Sequence, residues 1–536
     1  MTAQCDPSLD AVIIGAGIGG MHQLYRLREK GLSVRVIEAG SGVGGTWYWN
    51  RYPGARTDSP AHVYQYWFSD ELLQEWDWAQ RYPAQEESER YLNYVTDKFD
   101  LRREITFNTR VEAAHWDDAA KRWSVRADSG EVIQAQFLIS CAGIVSAPIQ
   151  PPFKGYERFQ GRIVHTARWP KEGIDLAGKR VGVVGTGATG IQVVQTVAGE
   201  VARLVVFQRT PNYSLPMKNV DFTDADRARL RARYPEIKEA AFNSFVGFDA
   251  NFDPREAQDV PKEERLELYE NLWQDGSLML WFGGFKEVFF DPAINEEVSE
   301  FVRAKIRARI HDPKLADKLV PKDHGFGTRR VPLETNYYEA FNRANVDLVD
   351  VNETPILELT ESGVRTTDAE YPLDVLILAT GFDAGTGALT RIDIRGRRGI
   401  SLKEEWARDL RTTMGLQIHG FPNLFTIGAP FAPTTAFCNA PTCLQLQGQW
   451  IADCVDFVRQ RNFASIEPTE ETERRWIAAH DQLADLSLVA KTRSWYTGTN
   501  VEGKKMRLLS YLGGVGPYRL QCEDVKSNGY EGFALA

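Results

Sequence analysis

Two glycine-rich segments carry the clearest chemical signal in this sequence of 536 residues. Residues 15–20 read GAGIGG and residues 185–190 read GTGATG, so both have the spacing G-x-G-x-x-G. Each segment follows a short β-branched run and opens a stretch of helical period. Glycines at these positions let the backbone approach a pyrophosphate group at the N-terminal end of a helix. The sequence therefore predicts two dinucleotide-binding folds in one chain.

The residue that follows the second strand of each predicted fold differs in charge. Glu38 follows the strand predicted at residues 33–37, where a carboxylate can hold a ribose hydroxyl group. The second fold has no acid at the matching place and carries Arg209 after the strand at residues 204–207. A guanidinium pairs with a 2′-phosphate, which a carboxylate would repel. We therefore expect the second nucleotide to be NADP(H) and not NAD(H).

Two longer patterns resemble those of the type I Baeyer–Villiger monooxygenases, a family of flavin-dependent oxygenases. The pattern F-x-G-x-x-x-H-x-x-x-W-P lies between the two glycine segments and is matched at Phe159, Gly161, His165, Trp169 and Pro170. The pattern G-G-x-W-x-x-x-x-Y-P-G-x-x-x-D is matched at Gly44, Gly45, Trp47, Tyr52, Pro53, Gly54 and Asp58. The resemblance runs from about residue 10 to the C-terminus. It implies FAD in the first fold and NADP(H) in the second.

The resemblance also implies roles for individual residues. Arg330 is the expected catalytic arginine beside the flavin, Asp58 is expected to orient it, and His165 is expected to couple domains. The residues expected to bind FAD are Gly15, Gly17, Gly20, Glu38, Gly45, Thr46, Trp47, Asp58, Tyr64 and Val111. The residues expected to bind NADP(H) are Arg56, Gly185, Thr186, Gly187, Ala188, Thr189, Gly190, Gln192, Arg209, Thr210, Arg329, Arg330 and Trp495.

The sequence departs from the family pattern at a few positions. Pro60 and Ala61 replace an acidic residue and a serine after Asp58, and Ala429 replaces a glycine. Arg329 replaces the lysine expected at the 2′-phosphate. Because arginine is a planar fork and lysine a point charge, the substitution keeps the charge and changes the geometry. We expect the preference for NADPH to survive.

The activity that the resemblance implies is the NADPH- and O2-dependent conversion of ketones, cyclic or bulky ones, to esters or lactones through a C4a-peroxyflavin. Sulfoxidation is expected as a side activity. One alternative is a flavin-containing N- or S-monooxygenase, whose fingerprint lacks the Trp169 and Pro170 found in this chain. Another is a non-catalytic nucleotide-binding redox sensor, against which the presence of both Asp58 and Arg330 argues.

The composition limits the classes of binding partner and the kinds of site that we expect. The net charge of -10 argues against nucleic acid or an anionic membrane as the main partner, and no apolar run has transmembrane length. The eight scattered histidines predict no metal site. The six cysteines show no C-x-x-C spacing and no disulfide framework, which fits a reducing compartment. Cys438 and Cys443 lie too far toward the C-terminus for the dithiol centre of a disulfide reductase. We expect a cytoplasmic monomer or weak homo-oligomer.

The predicted fold class is α/β, with two Rossmann-like dinucleotide-binding domains and a helical insertion. The predicted FAD domain comprises residues 1–147 and 385–536, and the predicted NADP domain comprises residues 148–217 and 328–384. The insertion is placed at residues 218–327, where Val298, Phe301, Val302, Ile306 and Ile310 recur on one helix face. Its charged runs are expected to be solvated and without chemistry of their own.

Overall fold

The computed structural model describes residues 8–434 and 436–536. Its first sheet is built around the strand Leu9–Ile14, whose last four residues are buried. This strand pairs in parallel with Val34–Ile37 on one side and with Val132–Ser140 on the other. Apolar runs of this kind are typical of parallel strands that are covered on both faces.

The first sheet has eight strands and mixes directions. Along the sheet the order is Asp393–Arg395, Val111–Asp117, Arg122–Ala127, Val132–Ser140, Leu9–Ile14, Val34–Ile37 and Ile105–Thr106, with Leu424–Thr426 also paired to Val132–Ser140. The strands between residues 111 and 140 form an antiparallel layer. Two strands come from beyond residue 390, so the chain returns to its first fold after completing the second.

The second sheet has five strands, all parallel. Their order is Val346–Asp350, Arg203–Gln208, Arg180–Val184, Val375–Leu378 and Arg162–His165. Smaller sheets pair Leu215–Pro216 with Leu333–Glu334, Ile356–Leu359 with Gly363–Thr366 and Glu370–Pro372, and Ile466–Pro468 with Phe533–Leu535. The structure thus confirms an α/β protein with two Rossmann-like folds.

Helices cover both sheets and form most of the insertion. In the first fold they are Ile18–Glu29, Thr46–Trp49, Asp70–Glu75, Gln85–Lys98, Gly387–Thr390, Leu402–Arg408, Ala440–Gln460, Glu470–Asp485 and Val515–Ser527. In the second fold they are Ala188–Val197 and Tyr337–Ala340. The insertion contains Asp224–Asn243, Lys262–Asp275, Met279–Phe282, Pro292–Arg307 and Pro313–Leu319. Single 3-10 turns lie at Arg102–Glu104, Thr166–Arg168, Ala257–Asp259, Lys286–Phe289, Arg397–Gly399 and Trp495–Thr497.

The apolar stripe predicted in the insertion lies on the helix Pro292–Arg307. Val298, Val302 and Ile306 are buried there, one or two turns apart, whereas Ile310 is buried beyond the helix end. Their cluster also contains the second fold's Val183 and Val206, so the insertion packs on that fold. In the described part of the chain, no helix is both long and apolar enough to cross a membrane.

Candidate functional site

A large cavity lies where the two folds and the insertion meet. Its volume is about 1460 Å³, above the roughly 300–1,000 Å³ typical of a site for one drug-sized ligand. The predicted site residues on its wall are Gly15, Gly17, Glu38, Gly45, Thr46, Trp47, Arg56, Asp58, Tyr64, Val111, Gly185, Thr186, Gly187, Ala188, Thr189, Gln192, Arg209, Thr210, Arg329, Arg330 and Trp495. The cavity is therefore larger than a site for one such ligand requires, and it is lined by residues of both glycine segments.

The third glycine of each segment packs the helix on its strand and does not line the cavity. A β-carbon on Gly20 would overlap the carbonyl oxygen of Gly15, and one on Gly190 would overlap that of Gly185. Gly187 precedes the helix Ala188–Val197, and a β-carbon there would meet no atom within 4 Å. This open helix N-terminus on the cavity wall suits a pyrophosphate.

Glu38 is buried at the end of its strand and organises the first glycine segment. Its two carboxylate oxygens accept the backbone N–H groups of Ala16 at 2.7 Å and of Gly40 at 2.6 Å. Burial raises the pKa of this carboxyl, and the two N–H groups oppose the rise. The carboxylate faces the cavity at the position where a ribose would lie above the glycines.

The aromatic segment after the second strand forms the wall next to the first glycines. Gly45 has a φ of 54°, and a β-carbon there would lie 2.8 Å from the α-carbon of Gly17, so only glycine permits this contact. The helix Thr46–Trp49 begins at that point. The Trp47 indole N–H donates to the Tyr64 hydroxyl at 3.1 Å, and the two rings meet edge to face. Both side chains line the cavity.

Asp58 and Arg330 form an ion pair between the first fold and the segment that returns from the insertion. Arg330 Nη2 lies 3.1 Å from Asp58 Oδ2, and the backbone N–H of Leu333 donates to Asp58 Oδ1 at 3.3 Å. The Asp58 side chain is 8% exposed and that of Arg330 is 25% exposed. Burial raises the pKa of Asp58, while Arg330 opposes the rise. The predicted pair is thus brought together over 272 residues of sequence.

Two aromatic residues complete the surroundings of Arg330. Its guanidinium lies over the ring of Trp281, 5.9 Å from the centroid, which is within the range of a cation–π contact. Arg330 also acts on the buried hydroxyl of Tyr496, where it opposes the rise in pKa that burial causes. Tyr496 follows Trp495, and the two rings lie edge to face at 4.4 Å.

Two further arginines, Arg329 and Arg209, lie on the cavity wall. Arg329 and Arg209 are close enough that Arg209 helps to lower the pKa of Arg329, although burial is the larger cause. Arg329 Nη2 donates to Asp323 Oδ2 at 3.0 Å, and Asp323 Oδ1 lies 2.7 Å from His324 Nδ1. The pKa of Asp323 is lowered to about 2, mainly by the His324 hydrogen bond. Two arginines facing one cavity suit a doubly charged phosphate.

Direct hydrogen bonds join the two folds beside this cavity. The Tyr52 hydroxyl donates to Gln192 Oε1 at 2.9 Å, and Gln192 Nε2 donates to the carbonyl of Arg56 at 3.2 Å. Gly54, with a φ of 82°, lies against the same helix, and a β-carbon there would approach the carbonyl oxygen of Gln192 to 2.7 Å. The segment that carries Asp58 is therefore fixed against the second fold.

The fingerprint residues lie behind the cavity. His165 ends the strand Arg162–His165, and its Nδ1 accepts the N–H of Ala167 at 3.1 Å. Burial, more than the nearby Arg168, lowers the pKa of His165. Phe159 and Trp169 are buried in two different apolar clusters, and a β-carbon on Gly161 would meet the carbonyl oxygen of Asp374 at 2.7 Å. None of the fingerprint side chains lines the cavity.

The structure corrects one expectation. Cys438 and Cys443 are bonded as a disulfide, although the spacing of the cysteines indicated none. The insertion, whose charged runs were expected to be solvated, also supplies Asp323, Phe248 and Phe282 to the cavity wall. A sequence alone did not reveal these contacts because they form only when the insertion packs across the second fold. The aromatic content of residues 279–290 was the available signal.

The chain is similar to characterised flavin monooxygenases. A model of the pyridine nucleotide-disulphide oxidoreductases matches residues 9–236. Acetone monooxygenase (methyl acetate-forming) of Gordonia sp. (strain TY-5) is 52% identical over 530 residues, covering 99% of both chains. The 2-oxo-Δ3-4,5,5-trimethylcyclopentenylacetyl-CoA monooxygenase of Pseudomonas putida is 43% identical and also covers 99% of both chains.

A solved structure has the same fold. The structure of OTEMO in complex with FAD and NADP superposes with a TM-score of 0.95 at 42% identity, covering 99% of this chain and 100% of that one. The agreement extends over both folds and the insertion, since almost no part of either chain is left unmatched.

Proposed function

Because this chain belongs to the Baeyer–Villiger monooxygenase family, we propose that it binds FAD and NADP(H) and converts ketones to esters or lactones with molecular oxygen. The observation that carries the proposal is the ion pair of Asp58 with Arg330, 3.1 Å apart on a cavity bounded by two nucleotide folds. A fixed positive charge beside a flavin site is what a reaction with anionic character at oxygen requires.

The two folds divide the cofactors between them. We assign FAD to the first fold, where Glu38 faces the ribose position and Trp47 and Tyr64 form an aromatic wall. We assign NADP(H) to the second fold, where Arg209 and Arg329 face the 2′-phosphate position. FAD, when reduced by NADPH, supplies the activation of molecular oxygen and the transfer of one oxygen atom.

The residues around Arg330 hold its charge in place. Asp58 accepts a hydrogen bond from the guanidinium of Arg330 and another from the backbone N–H of Leu333. The guanidinium therefore cannot rotate freely. Trp281 supports the guanidinium from one face. Arg330 then stabilises negative charge that develops on the ketone oxygen during oxygen insertion. Trp495, on the wall of the same cavity, is placed to exclude water once NADP(H) is bound.

The size of the ketone is open to direct measurement. The sequence resemblance favours cyclic or bulky ketones, and one relative is named for acetone. A panel of acetone, cyclopentanone, cyclohexanone and an aryl ketone, supplied to the purified FAD-bound protein with NADPH under ¹⁸O₂, tests the proposal. Ketone-stimulated NADPH oxidation and an ester or lactone carrying one ¹⁸O atom are expected. NADPH oxidation without labelled ester from any ketone would overturn it.

The panel also separates the alternatives. A thioether that gives a labelled sulfoxide while every ketone fails would support an N- or S-monooxygenase. Tight binding of both cofactors without substrate-dependent NADPH oxidation would support a redox sensor.

The cellular setting completes the proposal. We place the protein in the cytoplasm, where NADPH is regenerated, as a monomer or weak homo-oligomer. Its most exposed large apolar side chains, Leu486, Leu520 and Val220, lie on separate segments of the chain. Size-exclusion chromatography with light scattering at several concentrations measures the assembly.

A further inference from the structure

Cys438 and Cys443 have no part in the proposed oxygenation, yet both lie on the wall of the cavity. Their sulfur atoms are bonded and their α-carbons are 6.4 Å apart. Cys438 lies just before the helix Ala440–Gln460, and Cys443 lies in its first turn. The bond therefore links the segment before the helix to the first turn of the helix, beside the space where a small substrate would lie.

The segment between the two cysteines connects the insertion to the first fold. Asn439 donates from its backbone to Val246 at 2.8 Å and from its side chain to Val63 at 2.6 Å. The Thr442 hydroxyl donates to the carbonyl of Gly247 at 3.1 Å. A β-carbon on Gly247 would lie only 3.1 Å from the Cys438 sulfur, so the glycine allows the backbone of the insertion to pack closely against this sulfur.

The other described cysteines lack a neighbouring thiol. Cys141, Cys454 and Cys522 are free, and burial raises the pKa values of their thiols, which keeps them protonated. Cys438 and Cys443 are buried in the same apolar cluster, but each has the other as its partner. Cys443 also lies in the first turn of a long helix, where the backbone N–H groups favour a thiolate. A thiolate is the form that reacts with peroxides and with disulfides.

We propose that Cys438 and Cys443 are a reversible oxidation site, converted from two thiols to the disulfide by hydrogen peroxide and restored by a dithiol reductant. One thiolate attacks a peroxide oxygen, the O–O bond breaks, and the departing hydroxide takes a proton to become water. The second thiolate attacks the resulting sulfenic sulfur, the S–S bond forms, and the sulfenic oxygen leaves as a second water. Two thiols and one peroxide thus give one disulfide and two waters.

The inference rests on the proposed function in one respect. An oxygenase that loses coupling between NADPH and ketone releases hydrogen peroxide from this cavity, so the pair would be exposed to the oxidant at its source. Closing the bond removes freedom from the segment 438–443 and changes the wall next to the substrate. We expect KM for the ketone to differ at least twofold between the two states, with KM for NADPH unchanged.

The test begins with the reduced, FAD-bound wild-type protein. After removal of the reductant, hydrogen peroxide is added. The protein is then denatured in the presence of an alkylating reagent, and the mass of the tryptic peptide 412–459 is measured by mass spectrometry. This peptide holds Cys438, Cys443 and Cys454, so Cys454 is an internal control. Reduced protein should carry three alkyl groups on the peptide and oxidised protein only one, on Cys454, with full reversal by dithiothreitol. Equal loss of all three groups, or three groups retained, would overturn the proposal.

Single-residue variants distinguish the effect of the disulfide bond from the effects of the individual cysteines. In Cys438→Ser, peroxide should leave Cys443 as a sulfenic acid that dimedone traps, and KM for the ketone should no longer respond to peroxide or dithiothreitol. Cys454→Ala is the matched control and should keep the twofold response. If KM for the ketone still responds to peroxide in Cys438→Ser, another residue causes the response. Since alkylation needs no ketone, a failure of ketone oxidation and a failure of this site are separate results.

Discussion

Replacing Arg330 by alanine should separate ester formation from cofactor binding. Arg330 is partly buried, its guanidinium is held 3.1 Å from Asp58, and its side chain is 25% exposed. Removing one such preorganised group from a site of developing negative charge costs about 2.7–4 kcal/mol in the barrier, or roughly 10²–10³ in rate. We expect ester formation by Arg330→Ala to fall by this factor while FAD and NADPH still bind.

The assay counts ester formed and hydrogen peroxide released per NADPH oxidised, with FAD content measured by absorbance. In Arg330→Ala, NADPH oxidation should continue and peroxide should replace the ester. Arg265→Ala is a matched control, because Arg265 pairs with Glu297 at 2.6 Å, both side chains are 14% exposed, and neither lines the cavity. That control should lose stability and keep its ester yield. A wild-type ester yield from Arg330→Ala would remove Arg330 from the mechanism.

The same variant should show a pH-dependent loss of stability. The pKa of Asp58 is already raised by burial in the folded protein, and loss of Arg330 removes the main opposing cause. A carboxyl with a raised folded pKa stabilises the fold fully below its unfolded pKa and loses that contribution as the pH rises through the folded value. The deficit of Arg330→Ala in melting temperature relative to the wild type should therefore be larger at pH 8 than at pH 5. An equal deficit at both values would show that Asp58 does not carry an unpaired buried charge in the variant.

Three further changes test the cofactor assignments. Asp323→Asn should lower KM for NADPH about threefold to tenfold, because the substitution removes a negative charge beside Arg329 that weakens phosphate binding by roughly 1 kcal/mol, and KM for NADH should not change. Glu38→Gln should weaken FAD binding roughly tenfold or more, since hydrogen bonds to a charged group contribute about 1.5–3 kcal/mol, measured by fluorescence of released flavin. Gly190→Ala should raise the Kd for NADPH by about fivefold or more with FAD retained, because the new methyl group overlaps the carbonyl of Gly185 and costs about 1–3 kcal/mol. Unchanged cofactor affinities in these variants would contradict the assignment concerned.

The two nucleotide folds were predictable because few local structures require glycine at each position of this spacing. Gly20 and Gly190 are required by contact with Gly15 and Gly185, and the sequence shows that requirement directly. The charge difference between Glu38 and Arg209 was equally visible, since each follows a strand that the chain itself marks.

The contacts of the insertion were not predictable, because they depend on how a helical segment packs over a distant sheet. Asp323 reaches the cavity and Trp281 reaches Arg330 from turns and helices whose sequence reads as an ordinary amphipathic layer. The bond between Cys438 and Cys443 crosses from an irregular segment into a helix, so its geometry depends on where that helix begins. Neither feature has a local pattern that distinguishes it from packing.

The position of the fingerprint behind the cavity explains how residues without cofactor contact can still govern the chemistry. The strand Arg162–His165 pairs with Val375–Leu378, and the chain passes from there to Trp169, whose cluster includes Val63 and Tyr82 of the first fold. We therefore expect a change at Trp169 to disturb the packing of one fold on the other. Asp58 and Arg330 come from opposite sides of that junction, and their 3.1 Å contact depends on how the two folds are oriented. We expect the fingerprint to act on oxygen transfer in this indirect way, by fixing the orientation at which the charge on Arg330 faces the proposed flavin site.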